Sequence, residues 1–191
     1  MNRYPVALSL ALFFLAFATG VEAKGENDEK SNPFKILSKR IAQAWESGDY
    51  DLYLPVHTWH NRLMYDSSHI KQRDYNERPW GFGFGRSFLD EDGDSQGVYL
   101  MGFMDSNNRF QPIAGYNYFK NWYFGESKDW SAGLGYTLSV TARHEYNYIP
   151  IPLPLPIFSV RYRQVAVQSA YVPSTRNSGN VLFTWLRWHM E

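Results

Sequence analysis

Three polar residues, His60, Asp105 and Ser106, are candidates for a catalytic site that transfers an acyl group. An imidazole can take a proton from a hydroxyl, a carboxylate can orient that imidazole, and a serine can attack an ester or donate a hydrogen bond to it. His60 is far from the other two in sequence, so the site exists only if the fold brings them together. Three ordinary polar residues are the alternative that the pattern leaves open.

The alternation of the chain predicts the elements that would hold these residues. From Asp51 onward, glycine and proline occur too often for long helices, and apolar residues recur at every second position between them. We predict eight β-strands: Asp51 to Tyr65, Trp80 to Leu89, Gly97 to Met104, Gln111 to Lys120, Trp130 to Ala142, Leu155 to Tyr162, Val165 to Tyr171 and Asn180 to Trp188. In the fifth strand one face is apolar and would meet lipid, and the other is small or polar and would look inward.

The strand number and the composition together predict an all-β fold, an eight-stranded antiparallel transmembrane β-barrel. An even number of strands can close the sheet and remove its edges. The chain is 18% aromatic, with 7 Trp, 14 Tyr and 13 Phe, which is typical of outer-membrane barrels with aromatic girdles. Both faces of the third strand are apolar, which predicts a partly hydrophobic interior. A secreted β-sandwich is the competing fold.

The first 50 residues are predicted to form two further segments. Asn2 and Arg3, the apolar run from Val6 to Phe17 and the small-x-small pattern at 21–23 predict a signal peptide over 1–23. Residues 24–50 are a polar leader and an amphipathic helix within 32–45, suited to a membrane interface or to plugging a soluble barrel. The barrel follows over 51–191. No later window is long and apolar enough for a transmembrane helix.

Composition and motif spacing argue against several other functions. Basic and acidic residues balance at 19 each, with no basic run, so we expect no nucleic-acid partner. The alternating glycines of 81–85 do not have the spacing of a phosphate loop, and the aspartates of 90–94 lack the closing glutamate of a calcium loop, because Met101 stands there. His57 and His60 would point to opposite faces of a strand. We therefore predict no cofactor and no metal.

The connections between the predicted strands orient the barrel. Outer-membrane barrels have short periplasmic turns and longer outside loops. Short links, 90–94 and 163–164, follow strands two and six, and longer links, 66–79, 143–154 and 173–179, follow strands one, five and seven. The ends of strands one, three, five and seven therefore share the outer rim. This places His60 on the same rim as Asp105 and Ser106.

Prolines lie near the outer ends of two pairs of neighbouring strands. Pro55 and Pro79 flank strands one and two, and Pro156 and Pro173 flank strands six and seven. Proline has no N–H to donate to a sheet, so such strands pair incompletely. Gaps at these places would admit a lipid sideways into the barrel. The alternative is that these prolines simply end strands.

Eight short segments match a known family in order and spacing: DLYLP at 51–55, TWH at 58–60, YNERPWG at 75–81, DS at 105–106, PIAGY at 112–116, VTAR at 140–143, NYIP at 147–150 and NSGNV at 177–181. With these segments the chain resembles the lipid A palmitoyltransferase family PagP. The resemblance implies a tilted eight-stranded outer-membrane barrel with an N-terminal amphipathic helix. It also implies transfer of palmitate from the sn-1 position of a glycerophospholipid to the hydroxyl of an acyl chain on lipid A.

The resemblance also implies roles for particular residues. His60, Asp105 and Ser106 match the catalytic residues of the family, and the four prolines match its two lateral gates. Arg143 and Trp45 match a pair that helps to tether the N-terminal helix. Asn117 stands where the family has glycine at the floor of the acyl pocket, which puts the preference for palmitate in doubt. We assign Tyr116, beside it, to the substrate-binding set.

The sequence therefore predicts an outer-membrane acyltransferase that acts as a monomer on a glycerophospholipid donor and a lipid A acceptor. A non-catalytic eight-stranded barrel used for adhesion or resistance is the alternative; it would tolerate loss of the three catalytic candidates. A soluble lipocalin-like carrier is a third hypothesis, and it would partition into the aqueous phase.

Overall fold

A computed structural model of the chain describes residues 32–66, 68 and 72–190. The predicted signal peptide lies outside the described residues. Within them the elements are helix α1 (Pro33–Ser47), strands β1 (Asp49–His60), β2 (Gly81–Leu89), β3 (Ser95–Met104), β4 (Phe110–Phe124) and β5 (Trp130–Ala142), a short 3-10 helix (His144–Tyr146), and strands β6 (Pro150–Tyr162), β7 (Val165–Val172) and β8 (Val181–Met190). In this part of the chain, no helix has the length and apolar character needed to cross a membrane.

The eight strands form one closed barrel in which each strand pairs antiparallel with the next and β1 pairs with β8. This confirms the predicted fold and strand number. Two strand ends differ from prediction by five residues each, β4 continues to Phe124, four residues beyond its predicted end at Lys120, and the other ends agree within two residues. β1 ends at His60 instead of Tyr65, because the side chain of Asn61 accepts the Leu63 N–H and turns the chain. β6 begins at Pro150 instead of Leu155, since its prolines leave the pairing with β5 intact.

Helix α1 is bounded by residues suited to its two ends. The side chain of Asn32 accepts the Phe34 N–H, and Pro33, which lacks an N–H, occupies the first helical position. At the other end the Gly48 N–H donates to the Ala44 carbonyl. A Cβ at Gly48 would lie 2.5 Å from that carbonyl oxygen and 2.9 Å from the Ser87 nitrogen. Only glycine fits between the helix end and β2.

The barrel interior changes from apolar to polar along its axis. We call the rim at the C-terminal ends of β1, β3, β5 and β7 the outer rim, and the opposite one the inner rim. A buried apolar cluster of Tyr53, Tyr99, Met101, Phe103, Ile113, Phe119, Leu155, Ile157, Ala170 and Trp185 fills the outer half and the middle of the barrel, and its member Phe119 reaches the inner end, where it pairs with Ser95. Toward the inner rim, a cavity of about 390 Å³ is lined largely by polar side chains, among them Ser131, Arg161 and Arg187. The predicted partly hydrophobic interior is confirmed.

Two strand pairs are joined only in their inner halves. Pairing between β1 and β2 runs from Asp49 with Ser87 to Tyr53 with Gly83 and then stops. Pairing between β6 and β7 ends at Ile157 with Ala170, although β6 continues toward the outer rim and pairs there with β5. Strand pairing is therefore missing at two places in the outer half of the wall, which we call the openings, although the Thr58 N–H donates to the Glu77 carbonyl across the first of them. The predicted prolines stand at both openings.

Candidate active site

His60, the last residue of β1, lies almost fully buried at the outer rim, with 2% of its surface exposed. Its ring stacks on Tyr75 at a centroid distance of 4.5 Å and an interplanar angle of 14°. The ring of Tyr65 meets it edge-on at 5.4 Å. Its Nδ1 lies 2.9 Å from Oε1 of Glu77. Tyr75, Tyr65 and Glu77 therefore hold the imidazole in one orientation.

Glu77 connects this imidazole to the positive charge of Arg62. Its Oε1 also accepts the backbone N–H of His60 at 3.3 Å, and both of its oxygens accept Arg62 Nη2 at 2.8 Å. Burial raises the pKa of Glu77, but the hydrogen bonds from His60 and the charge of Arg62 outweigh this and leave its pKa below the ordinary value. Glu77 is therefore a carboxylate near neutral pH.

Asp105 and Ser106 follow β3 at the same rim. Oδ1 of Asp105 accepts the backbone N–H groups of Asn107 and Arg109, at 2.8 and 2.9 Å, and so closes the turn between β3 and β4. Its Oδ2 lies 3.7 Å from Arg143 Nη2. The carbonyl of Ser106 accepts the backbone N–H of Asn76 at 2.9 Å.

The structure thus brings the three predicted catalytic residues to one rim without joining them directly. Among the described residues, no hydrogen bond links His60 to Asp105 or involves the Ser106 hydroxyl. The segment 75–77 connects His60 with Ser106. Tyr75 and Glu77 contact His60, and the Asn76 N–H donates to the Ser106 carbonyl. The catalytic roles of the three residues stay predictions.

Asn117 lies inside the barrel, where the apolar half gives way to the polar half. It is buried and pairs with Gly97 of β3 and Thr137 of β5. It borders a small cavity of about 10 Å³, together with apolar residues that include Met101 and Ile157. That volume is room for about one water. The predicted inward orientation of Asn117 is confirmed, and its role as the pocket floor stays a prediction.

Tyr116 lies on the opposite, outward face of β4, away from that cavity. Its hydroxyl donates to Oε1 of Gln96 at 2.6 Å, and the Gln96 amide donates to Asp90 at 2.7 Å. Asp90 in turn lies 3.5 Å from Nη1 of Arg40 in α1. Tyr116 is therefore held in a hydrogen-bonded chain that ends at the helix. Its assignment to substrate binding stays a prediction.

The four predicted gate prolines lie at the two openings in the barrel wall. Pro55 is buried at an irregularity in the pairing of β1 with β8, and Pro79 is buried just before β2. Pro156 stands on β6 next to the last residue that pairs with β7, and Pro173 directly follows β7. Passage of a lipid through these openings stays a prediction.

The expectation that Arg143 helps to tether the helix is wrong. Arg143 follows β5 at the outer rim, where its guanidinium lies 3.7 Å from Asp105 and 3.1 Å from Glu145. The C-terminal end of α1 lies at the inner rim, where β1 begins. The Trp45 and Gly48 carbonyls there accept hydrogen bonds from Arg86 of β2. Arg143 and the C-terminal end of α1 with Trp45 therefore lie at opposite rims of the barrel.

Comparison with known proteins assigns the chain to a family. Residues 40–187 match the family model described as "Antimicrobial peptide resistance and lipid A acylation protein PagP". The chain belongs to this family. Proteins named lipid A acyltransferase PagP are similar to it: that of Proteus mirabilis is 56% identical over 85% of this chain and 76% of its own length. That of Yersinia enterocolitica is 50% identical over 84% and 78%, and that of Serratia proteamaculans 47% identical over 98% and 97%.

Within this PagP-family site the structure adds Glu77, which the sequence alone did not single out. It lies in the matching segment at 75–81, between Asn76 and the gate residue Pro79, and no spacing rule connects it with His60. The only sign of its role in the sequence is that it is an acidic residue in the loop between the first two strands, and this loop has to return to the barrel next to β1. The resulting set is an imidazole bonded to a carboxylate at the outer end of an apolar interior, which suits proton transfer during attack on an ester. In the described parts of the chain, no group of three or more His, Asp or Glu side chains is placed to hold a metal ion.

Proposed function

We propose that this chain is an outer-membrane acyltransferase that moves an acyl chain from the sn-1 position of a glycerophospholipid to a hydroxyl on lipid A. The observation that carries the proposal is the buried His60 imidazole, bonded to a carboxylate, at the outer end of an apolar interior in a PagP-family barrel. The similar proteins named lipid A acyltransferase support the acceptor. The sn-1 position on the donor is inferred from the resemblance to the PagP family.

The reaction exchanges one ester for another. Nε2 of His60 takes the proton from the acceptor hydroxyl while the oxygen attacks the donor carbonyl. The bond from that carbonyl to the sn-1 oxygen then breaks, and the imidazolium returns the proton to that oxygen, which leaves as the hydroxyl of a lysophospholipid. In the proposed site Asp105 keeps the turn that presents Ser106, and the Ser106 hydroxyl donates a hydrogen bond to the developing oxyanion.

The interior provides the place for the donor chain. The lipid enters sideways through the openings flanked by Pro55 with Pro79 and by Pro156 with Pro173, where strand pairing is missing. Its acyl chain occupies the apolar half of the barrel, and Asn117 stops its methyl end. Because an amide side chain takes more room than the glycine of other family members, we expect donors shorter than palmitate to be preferred.

The remaining parts of the chain fit this assignment. We propose that residues 1–23 are a cleaved signal peptide, that 24–50 form the leader and interfacial helix, and that 51–191 form the barrel. The protein lies in the outer membrane, with many exposed aromatic and aliphatic side chains on its outward faces, such as Phe82, Leu134 and Phe158. The His60 cluster, both openings and the apolar interior come from one chain, so we propose that the monomer is active.

Mass spectrometry of lipid A tests the proposal. Lipid A from cells that carry the gene should contain a species heavier by one acyl chain, and cells without the gene or with His60→Ala should lack it. The folded barrel in each strain is checked by its heat-modifiable migration on gels. Unchanged lipid A in cells with folded wild-type protein would instead support a non-catalytic barrel used for adhesion or resistance.

A further inference from the structure

Among the residues that the structure describes, the one carboxylate bonded to the imidazole of His60 belongs to Glu77. The Nδ1 to Oε1 distance is 2.9 Å, and the same oxygen accepts the backbone N–H of His60. We propose that Glu77 is a positioning residue for the acyl transfer, which holds the His60 ring with Nε2 free to act as the base. This inference rests on the proposed function and adds a residue to it.

The bond decides which nitrogen of the imidazole carries the proton. An ionised carboxylate can only accept hydrogen bonds, so Nδ1 must carry the hydrogen when His60 is neutral. Nε2 then has a free lone pair and can take the proton of a hydroxyl. When it does, the negative charge of Glu77 stabilises the imidazolium, as an oriented carboxylate does beside any general-base histidine.

Asp105 is already engaged elsewhere. One of its oxygens accepts two backbone N–H groups within its own turn, and the other lies near the Arg143 guanidinium. For Asp105 to orient His60, these contacts would have to be given up. Glu77 needs no such change, because it meets the ring in the structure as it stands.

The surroundings of Glu77 hold it in place. Arg62 bonds both of its oxygens at 2.8 Å, which fixes the side chain and keeps it ionised. In the described part of the chain, the other titratable groups around the ring are His57 of β1, Tyr65 in the turn after it and Tyr75 in the segment before β2. None of these is a carboxylate. Glu77 is therefore the group placed to balance a positive charge on His60.

The kinetic test compares Glu77→Gln with a matched control, Asp66→Asn, in purified, folded protein in detergent. Asp66 is also an outer-loop carboxylate, and it is bonded to Arg176 at 2.5 Å and to the side chain of Asn177 at 2.8 Å, in the loop before β8. Because orientation is only part of what general-base catalysis supplies, Glu77→Gln should lower kcat by about 10-fold to 100-fold with little change in the KM for donor. Asp66→Asn should transfer at the wild-type rate. Glu77→Asp, which keeps the carboxylate, should recover part of the loss.

A double variant separates positioning from a general structural effect. If Glu77 acts through His60, then adding Glu77→Gln to His60→Ala should not slow the residual transfer further. An equal further loss in the double variant, or wild-type kcat in Glu77→Gln, would overturn the inference. If Glu77→Gln has wild-type kcat but His60→Ala is slow, the inference about Glu77 fails and the proposed function still stands. If the wild-type protein shows no transfer at all, the proposed function itself is contradicted.

The state of the ring can be measured without relying on activity. In ¹⁵N spectra of the wild-type barrel labelled at histidine, neutral His60 should show Nδ1 protonated and Nε2 bare. The opposite tautomer would overturn the proposal even if Glu77→Gln failed to fold. In folded Glu77→Gln protein, a mixture of the two tautomers is expected, because the amide can either donate or accept.

Discussion

The barrel contains two clusters in which a histidine, a carboxylate and an arginine meet, one at each end. The outer cluster is His60, Glu77 and Arg62. In the inner cluster, Oδ1 of Asp51 lies 2.7 Å from Arg187 Nε and 2.9 Å from His189 Nδ1. The residue types and the bond lengths are nearly the same in the two places.

The environments of the two clusters differ. The outer carboxylate comes from a loop, its arginine is 44% exposed, and the His60 ring stands at the end of the apolar half of the barrel. The inner carboxylate is fully buried, its arginine also bonds Ser87 at 2.6 Å, and both Arg187 and His189 line the polar cavity of about 390 Å³. The openings in the wall lie in the outer half only.

This difference shows that a histidine paired with a carboxylate is not by itself a catalytic site. The outer cluster lies at the end of the apolar half of the barrel, where we propose that the acyl chain of the donor binds. The inner cluster lies at a cavity with many polar side chains, where Arg187 offsets the charge of Asp51. We therefore expect changes in the outer cluster to affect transfer and changes in the inner one to affect stability.

The two histidines provide the largest expected contrast. His60→Ala should slow acyl transfer by roughly 10²-fold to 10⁴-fold, because it removes the general base. His189→Ala should leave transfer within a few-fold of wild type. Both are assayed as purified barrels in detergent, with folding checked by circular dichroism. Similar rates for the two variants would remove the functional distinction between the clusters.

The two arginines provide the converse contrast, in stability. Arg187→Met removes the buried arginine beside the carboxylate of Asp51 and should lower the free energy of unfolding by about 3 kcal/mol or more. Arg62→Met removes an exposed partner and should cost about 1 kcal/mol at most. Urea unfolding in lipid vesicles, followed by tryptophan fluorescence, measures both. If Arg62→Met proves as costly as Arg187→Met, the outer cluster is a structural ion pair like the inner one.

Asn117, at the boundary between the apolar and polar halves, should set the length of the acyl chain. Asn117→Gly lengthens the space below the donor and should shift the preference toward longer chains by several-fold for each CH₂, since burying a CH₂ contributes about 0.8 kcal/mol. A competition assay with phosphatidylcholines of graded sn-1 length measures this. Ser131→Ala, in the polar half, is the control and should leave the profile unchanged. Wild type that prefers palmitate, with no shift in Asn117→Gly, would show that Asn117 is not the floor.

The smallest effect concerns the pH dependence of the outer cluster. The lowered pKa of Glu77 means that its stabilising contribution is fully present above its ordinary value of 4.5 and is lost as the pH falls through the lowered value in the folded state. The difference in unfolding free energy between wild type and Glu77→Gln should therefore shrink as the buffer is made more acidic than about pH 4.5. A difference that stayed constant far below pH 4.5 would mean that Glu77 is not stabilised as a carboxylate.

Much of the fold was predictable because the alternating faces of a β-strand can be recognised in a short stretch of sequence. Alternation with a period of two located all eight strands, and the loop lengths assigned the outer rim, which put His60 beside the turn of Asp105 and Ser106. The errors occur where the alternation gives no information about the end of a strand. The turn at Asn61 shortens β1, and the prolines of β6 extend a strand that would normally stop at them. The tether assigned to Arg143 was taken from the family resemblance and failed, although strand parity had already placed the end of strand five on the rim opposite the start of strand one.

The sequence by itself determined the strands, their number, their inward and outward faces, and membership of the PagP family, since each depends on periodicity or on short motifs. Only the tertiary structure decided which carboxylate meets His60. That choice depends on how residues 75–77 lie against the rim, on Asp105 using Oδ1 within its own turn while Oδ2 lies near Arg143, and on Arg62 holding Glu77. Contacts between side chains 15 or more residues apart, such as the one from Arg62 to Glu77, leave no periodic signal in a single sequence, because they are fixed by loop geometry and packing.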